Sequence, residues 1–240
     1  MILKKHQILI WVSIFAIAMG IFEGSVVVYL RALYYPEGFS FPLVPMDNHI
    51  VITELIRELV SLFMLLSVGI IAGKNFSQRF AWFIYSFAIW DIIYYVFLWI
   101  ILEWPESLLT WDILFLLPIT WTGPVIAPVL LSILMILLAM IIYHFNLKSN
   151  FKVKISRIEW LILILGSFIV FTSFIWDYSR FLLNNLSLSE LQDKTLVDKL
   201  FNLSIKYIPE SFNWILFLSG FFIIAFGIAF VYRHCKKLIS

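Results

Sequence analysis

The chain carries few charged residues and almost no cysteine. Asp, Glu, Lys and Arg make up 13% of its 240 residues, and Cys235 is the single cysteine. Soluble domains are about 25% charged, so this composition excludes an ordinary soluble domain. A lone cysteine also excludes an internal disulfide framework and any metal site built from several cysteines.

Histidine is scarce too, and its placement excludes further classes of site. The four histidines, His6, His49, His144 and His234, flank the apolar runs, so a haem held by two histidines inside the membrane is excluded. No Glu-x-x-His pair occurs, which removes the carboxylate-bridged di-iron pattern of helix bundles. The basic residues flank apolar runs instead of forming a domain of their own, so nucleic-acid binding has no support.

What the chain has in abundance is long apolar runs. Hydrophobic residues make up 62% of it, and about 20 apolar residues cross a bilayer core of roughly 30 Å. We therefore predict an all-α, polytopic integral membrane protein whose only partner required by composition is the lipid bilayer. A single transmembrane domain, residues 1–240, would contain six spans and a polar outer loop at 182–208 with short helices. The predicted spans are about 8–34, 50–72, 80–102, 124–144, 158–178 and 211–232.

The segment between the third and fourth spans does not fit a simple crossing. Residues 108–145 are almost wholly apolar, too long for one span and barely long enough for two. Pro118, Gly123 and Pro124 interrupt them. We predict a broken, re-entrant half-helix at about 109–121, with the next span starting at Pro124. Because broken backbone at this depth occurs against protein or a water-lined cavity, Asp112 in this segment points to a site.

The basic residues are distributed unevenly between the two sides of the predicted bundle. The outer loops hold only Lys194, Lys199 and Lys206. By the positive-inside rule, the sequence predicts a protein of the cell's inner membrane with both termini cytoplasmic. The residues on the predicted inner side are Lys4, Lys5, Lys74, Arg79, Lys148, Lys152, Lys154, Arg157, Arg233, Lys236 and Lys237.

The strongest functional signal is the sequence Thr53-Glu54-Leu55-Ile56-Arg57-Glu58 at the head of the second span. Glu54 and Glu58 share a helix face, with Arg57 beside both. A charge near the bilayer centre costs roughly 2.5–3.5 kcal/mol on insertion scales, so it needs a partner or a watery cavity. The predicted topology places this cluster and further charges, including Asp177, in the middle or outer half of the membrane. The candidate binding residues are Glu23, Arg31, Glu54, Arg57, Glu58, Asp91 and Asp112.

Carboxylates outnumber arginines in this set, and such an excess of acid suits a proton-handling or cation-binding site. The sequence leaves three functions open. The leading hypothesis is a site that binds or moves a proton, a cation or a small cationic or amphiphilic molecule. The second is an enzyme acting on a lipid or isoprenoid at the outer leaflet, with Glu54, Glu58 or Asp91 as general acid or base and Arg57 holding an anionic head group. The third is a non-catalytic subunit whose polar network is structural.

The residues identify no catalytic group, metal or cofactor, although an all-oxygen set would suit Mg, Ca or Mn best. Two apolar features of the spans also carry predictions. The deep aromatic residues of the third span, Trp90, Tyr94 and Tyr95, could line a cavity, but core packing is the favoured interpretation. The first span carries small residues spaced four apart that allow close approach of another helix and are a candidate contact of a homo-oligomer: Ala16, Gly20 and Gly24.

Overall fold

The computed structural model describes residues 2–148, 153–186 and 196–237 and confirms the all-α, polytopic membrane architecture. Six of its helices, all except α6, are long and apolar enough to cross a membrane. The elements in chain order are α1 (Ile2–Tyr34), α2 (Asn48–Ala72), α3 (Phe76–Leu102), β1 (Trp111–Phe115), β2 (Trp121–Pro124), α4 (Ile126–Lys148), α5 (Arg157–Asn185), α6 (Leu196–Ser204) and α7 (Trp214–Lys237).

Two groups of helices make up the bundle. In the first, α3 packs against α1, α2 and α4; in the second, α5 pairs with α7, and α4 joins the groups by contacting α7. Helices α5 and α7 approach closely because glycines face each other. A Cβ added at Gly220 would lie only 2.8 Å from the carbonyl oxygen of Gly166. Such small residues let helix backbones pack closely in lipid.

The small-residue stripe of α1 is used inside the chain. A Cβ on Gly20 would lie 2.8 Å from the carbonyl oxygen of Trp90, and one on Gly24 would lie 2.5 Å from Cδ1 of Phe97. Ala16 is fully buried as well. The predicted close approach of a helix therefore occurs, but the helix is α3. The stripe is not available as a contact between two copies.

Residues 109–121 do not form the predicted half-helix. Trp111–Phe115 and Trp121–Pro124 pair as an antiparallel hairpin, with Asp112 opposite Gly123 and Ile113 opposite Thr122. Both runs are rich in aromatic and β-branched residues, which favour strands, and Pro118 lies in the connection between them, where it costs no ladder hydrogen bond. The helix begins only at Ile126, and Gly123 leaves room for the ring of Phe212, whose Cε2 would lie 2.9 Å from a Cβ.

The polar loop predicted at 182–208 contains the one short helix of the described chain, α6, which agrees with the expectation of short helices there. Helix α5 continues to Asn185, seven residues past the predicted end of the fifth span at 178, so it extends into the predicted loop. Residues 187–195 of this loop, with Lys194, and Lys152 on the opposite side lie outside the described residues.

Candidate functional site

A partly open cavity of about 440 Å³ lies at one end of the bundle. Its walls come from α1, α2, α3, the hairpin, α5, α6 and the loop between α1 and α2. The volume falls within the range of roughly 300–1,000 Å³ that is typical of small-molecule sites. All seven candidate residues line this cavity: Glu23, Arg31, Glu54, Arg57, Glu58, Asp91 and Asp112. Their function as binding residues remains a prediction.

Arg57 holds two carboxylates from different helices. Its Nε and Nη2 lie 2.8 and 2.7 Å from Oε2 of Glu54, one helical turn away. Its Nη1 donates to Oε1 of Glu23 on α1, and the hydroxyl of Ser61 donates to the other oxygen of Glu23 at 3.2 Å. This triad joins α1 to α2, which otherwise pack mainly against α3.

Glu58 makes no ion pair in the described chain and instead holds the hairpin. The backbone N–H of Leu116 donates to both of its carboxylate oxygens, at 2.9 and 3.1 Å, and the N–H of Leu117 donates to Oε2 at 3.1 Å. These amides follow β1 directly, where the strands no longer pair. A buried carboxylate thus satisfies backbone donors that have no strand partner.

A second ion pair joins α1 to the hairpin. Nη2 of Arg31 lies 3.6 Å from Oδ1 of Asp112, and the hydroxyl of Tyr95 donates to Oδ2 at 3.2 Å. The guanidinium also lies over two rings, 3.7 Å from the centroid of Trp104 and 4.7 Å from that of Phe39, a favourable cation–π arrangement. Burial raises the pKa of Asp112 to about 6, although Arg31 and Tyr95 act to lower it.

Asp91 differs from the other four carboxylates in its partners. It lies in the middle of α3 and accepts one hydrogen bond, from the hydroxyl of Ser132 on α4, at 2.8 Å from Oδ2. Within the part of the chain that the structure describes, Oδ1 has no hydrogen-bonding partner. The side chain is half-buried and lines the cavity, so it presents a carboxylate to the cavity with a single neutral donor bound.

The walls around these groups are largely apolar and aromatic. Trp90, Tyr94 and Tyr95 line the cavity, while Trp90 and Tyr95 are also buried in the packing of α3, so the cavity alternative and core packing both apply. The sequence reasoning missed two wall segments. One is the loop between α1 and α2, and the other is α6, where Leu200 and Phe201 face the cavity.

Asp177 lies apart from the cavity. Its carboxylate accepts hydrogen bonds from the hydroxyl of Tyr207 at 2.7 Å and from the backbone N–H groups of Glu210 and Ser211 at 3.1 and 3.3 Å. It therefore ties the C-terminal half of α5 to the segment before α7. Asp177, which the sequence predicted near the other carboxylates, therefore stabilises this loop and does not line the cavity.

No three His, Cys, Asp or Glu side chains among the described residues are grouped so that they could hold a metal ion. The chain matches no protein-family model, no curated protein and no solved structure. What the protein does must therefore be inferred from the cavity.

Proposed function

We propose that this multi-pass membrane protein binds a small, positively charged amphiphile in the cavity. The observation that carries the proposal is the composition of the lining: five carboxylates and two arginines in walls that are otherwise largely apolar and aromatic. When all are ionised, the seven groups leave three negative charges. A cation with an apolar body matches both the charge and the walls, because like charges in a low-dielectric site are stabilised by a counter-charge.

The two arginines support a cation over an anion as the ligand. Arg57 is already bonded to Glu23 and Glu54, and Arg31 is held by Asp112 between two aromatic rings. An anionic head group would have to displace these partners and leave buried carboxylates unpaired, which is costly. This arrangement weighs against an enzyme that uses Arg57 to grip an anionic lipid.

Binding from one side is the function that the geometry supports, because the bundle is tightly packed below the cavity. Ala16 on α1 and Ala88 on α3 are fully buried there, and Ser13 shares a 2.8 Å hydrogen bond with Tyr85. Transport of the ligand or of a proton would require these helices to separate, so a flux assay in proteoliposomes tests a step beyond binding.

The orientation of the cavity belongs to the proposal. The loop between α1 and α2, the hairpin and α6 all lie at the cavity end, and the basic residues concentrate on the opposite side. We place the cavity on the non-cytoplasmic side of the inner membrane. In a Cys235→Ser background, Glu37→Cys, an exposed position, should react with an impermeant maleimide added to intact cells. Labelling only after lysis would reverse the orientation.

The test of binding uses three ligands of one shape and different charge. Isothermal titration calorimetry of the purified protein in a non-ionic detergent would compare n-hexylamine, hexanol and hexanoate. We expect hexylamine to bind at least tenfold more tightly than hexanoate, about 1.4 kcal/mol. Glu54→Gln, which leaves Arg57 paired with Glu23, should weaken hexylamine several-fold, whereas Glu37→Gln should not. Equal or tighter binding of hexanoate would refute the proposal.

A further inference from the structure

We infer that Asp91 is the residue that holds the ligand's cation, and that this cation is a protonated amine with at least one N–H group. The inference rests on the proposed function and makes it specific, since it selects one of five carboxylates and one class of cation. It follows from comparing what each carboxylate already bonds to.

Four of the five carboxylates already have charged or backbone partners. Glu23 and Glu54 share Arg57, and the second oxygen of Glu23 is bonded to Ser61. Both oxygens of Glu58 accept backbone N–H groups of the hairpin. The oxygens of Asp112 are taken by Arg31 and Tyr95. Displacing any of these partners would break an interaction that joins two elements of the fold.

Asp91 has only the hydroxyl of Ser132. A carboxylate has about four lone-pair sites, and a charged group at mid-membrane depth is costly without a counter-charge. No cation neutralises Asp91 in the described chain, and the residue lines the cavity. A cationic ligand would supply both the missing charge and the missing hydrogen bond while every ion pair of the cavity stays in place.

The hydrogen bond decides the class of cation. Hydrogen bonds between an ionised donor and an ionised acceptor are roughly twice as strong as neutral ones, and a protonated primary or tertiary amine can make one to the free oxygen of Asp91. A quaternary ammonium has no N–H, and its methyl groups keep the nitrogen at a distance. The apolar part of the ligand would lie along Val27, Leu30 and Leu55, which line the cavity on α1 and α2.

The experiment combines a carboxylate variant with a ligand series. Calorimetry would measure n-hexylamine, N,N-dimethylhexylamine and hexyltrimethylammonium on the wild type and on Asp91→Asn. We expect the two protonated amines to bind the wild type at least tenfold more tightly than hexyltrimethylammonium, and Asp91→Asn to lose at least thirtyfold for both. The matched control is Asp47→Asn, because Asp47 is exposed and its side chain makes no cap hydrogen bond.

A second variant separates ligand binding from helix packing. Ser132→Ala breaks the same bond between α3 and α4 but leaves the carboxylate, so it should keep hexylamine affinity within about threefold. Equal losses in Ser132→Ala and Asp91→Asn would make Asp91 a packing residue and overturn the inference. If Asp91→Asn does not fold, the ligand series on the wild type still decides, since equal binding of hexyltrimethylammonium contradicts an N–H contact.

The outcomes also separate this inference from the function on which it rests. If Asp91→Asn bound hexylamine as tightly as the wild type does, Asp91 would be rejected while the cation-binding cavity stands. A wild type that binds none of the three cations would reject the proposed function and this inference together.

Discussion

Replacing Arg57 with methionine should destabilise the protein far more than loss of an ordinary surface charge. The side chains of Arg57, Glu23 and Glu54 are 18%, 8% and 12% exposed. Removing the guanidinium would leave two largely buried carboxylates without a counter-charge, and breaking a buried pair in this way costs about 3–5 kcal/mol. The remaining exposure of the triad places the expectation at the lower end, about 3 kcal/mol, against a total stability of roughly 5–15 kcal/mol.

Neutralising the whole triad should restore most of that loss. In the triple variant Glu23→Gln, Glu54→Gln, Arg57→Met no charge is left unpaired, and replacing a buried ion network by neutral residues is often close to neutral. We therefore expect the triple variant to be more stable than Arg57→Met alone, within about 1–2 kcal/mol of the wild type.

The assay is reversible unfolding in mixed micelles, with tryptophan fluorescence as the signal and Arg180→Met as the control. Arg180 is an exposed arginine at the end of α5, and its loss should change stability by less than about 1 kcal/mol. The reasoning would be refuted if Arg57→Met cost no more than Arg180→Met. It would fail equally if the triple variant were as unstable as the single one.

Three further predictions follow from the same interactions. Glu58→Gln should lower the free energy of unfolding by about 1–3 kcal/mol, since the side-chain amide of Gln cannot accept all three backbone hydrogen bonds. The backbone N–H groups of Leu116 and Leu117 should then exchange their hydrogens with solvent faster. Because the pKa of Asp112 is about 6, acidification through that pH protonates the carboxylate and removes one negative charge from the cavity. The affinity for hexylamine should then fall roughly fivefold. An affinity that does not depend on pH, or the same fall in Asp112→Asn as in the wild type, would contradict this prediction. Gly20→Ala should cost about 1–3 kcal/mol by overpacking α1 against α3, without changing the oligomeric state seen by light scattering; an unaltered melting temperature would count against the close approach of these helices.

The architecture was readable because lipid constrains it strongly. Long apolar runs bounded by charged or proline-rich segments leave few alternatives to membrane-spanning helices, and the six long helices appear in the structure. The exception is residues 109–121. The breaks at Pro118, Gly123 and Pro124 show that the segment is interrupted, but hydropathy does not distinguish a helix from a strand in a short apolar run. The signal available was two aromatic, β-branched stretches separated by five residues that include Pro118.

The charged residues that line the cavity could be predicted from the sequence, but most of the groups to which they bond could not. Helical spacing placed Glu54 beside Arg57, and the structure shows that pair. Helical spacing also placed Glu58 beside Arg57, yet the backbone of a hairpin takes up its carboxylate, because that interaction joins segments 58 residues apart in sequence. Helical periodicity describes only neighbours along one helix, so it predicts neither this pairing nor the α6 residues that line the cavity.

The interacting residues of the cavity are widely separated along the chain, and this has a consequence for synthesis. Glu23 bonds to Arg57, 34 residues later, and Arg31 to Asp112, which is not made until three helices have emerged. When α1 reaches the membrane, neither Glu23 nor Arg31 has yet met its partner. The insertion of α1 must therefore be driven by the apolar residues around them, and the charged lining of the cavity is completed only after the hairpin has been synthesised.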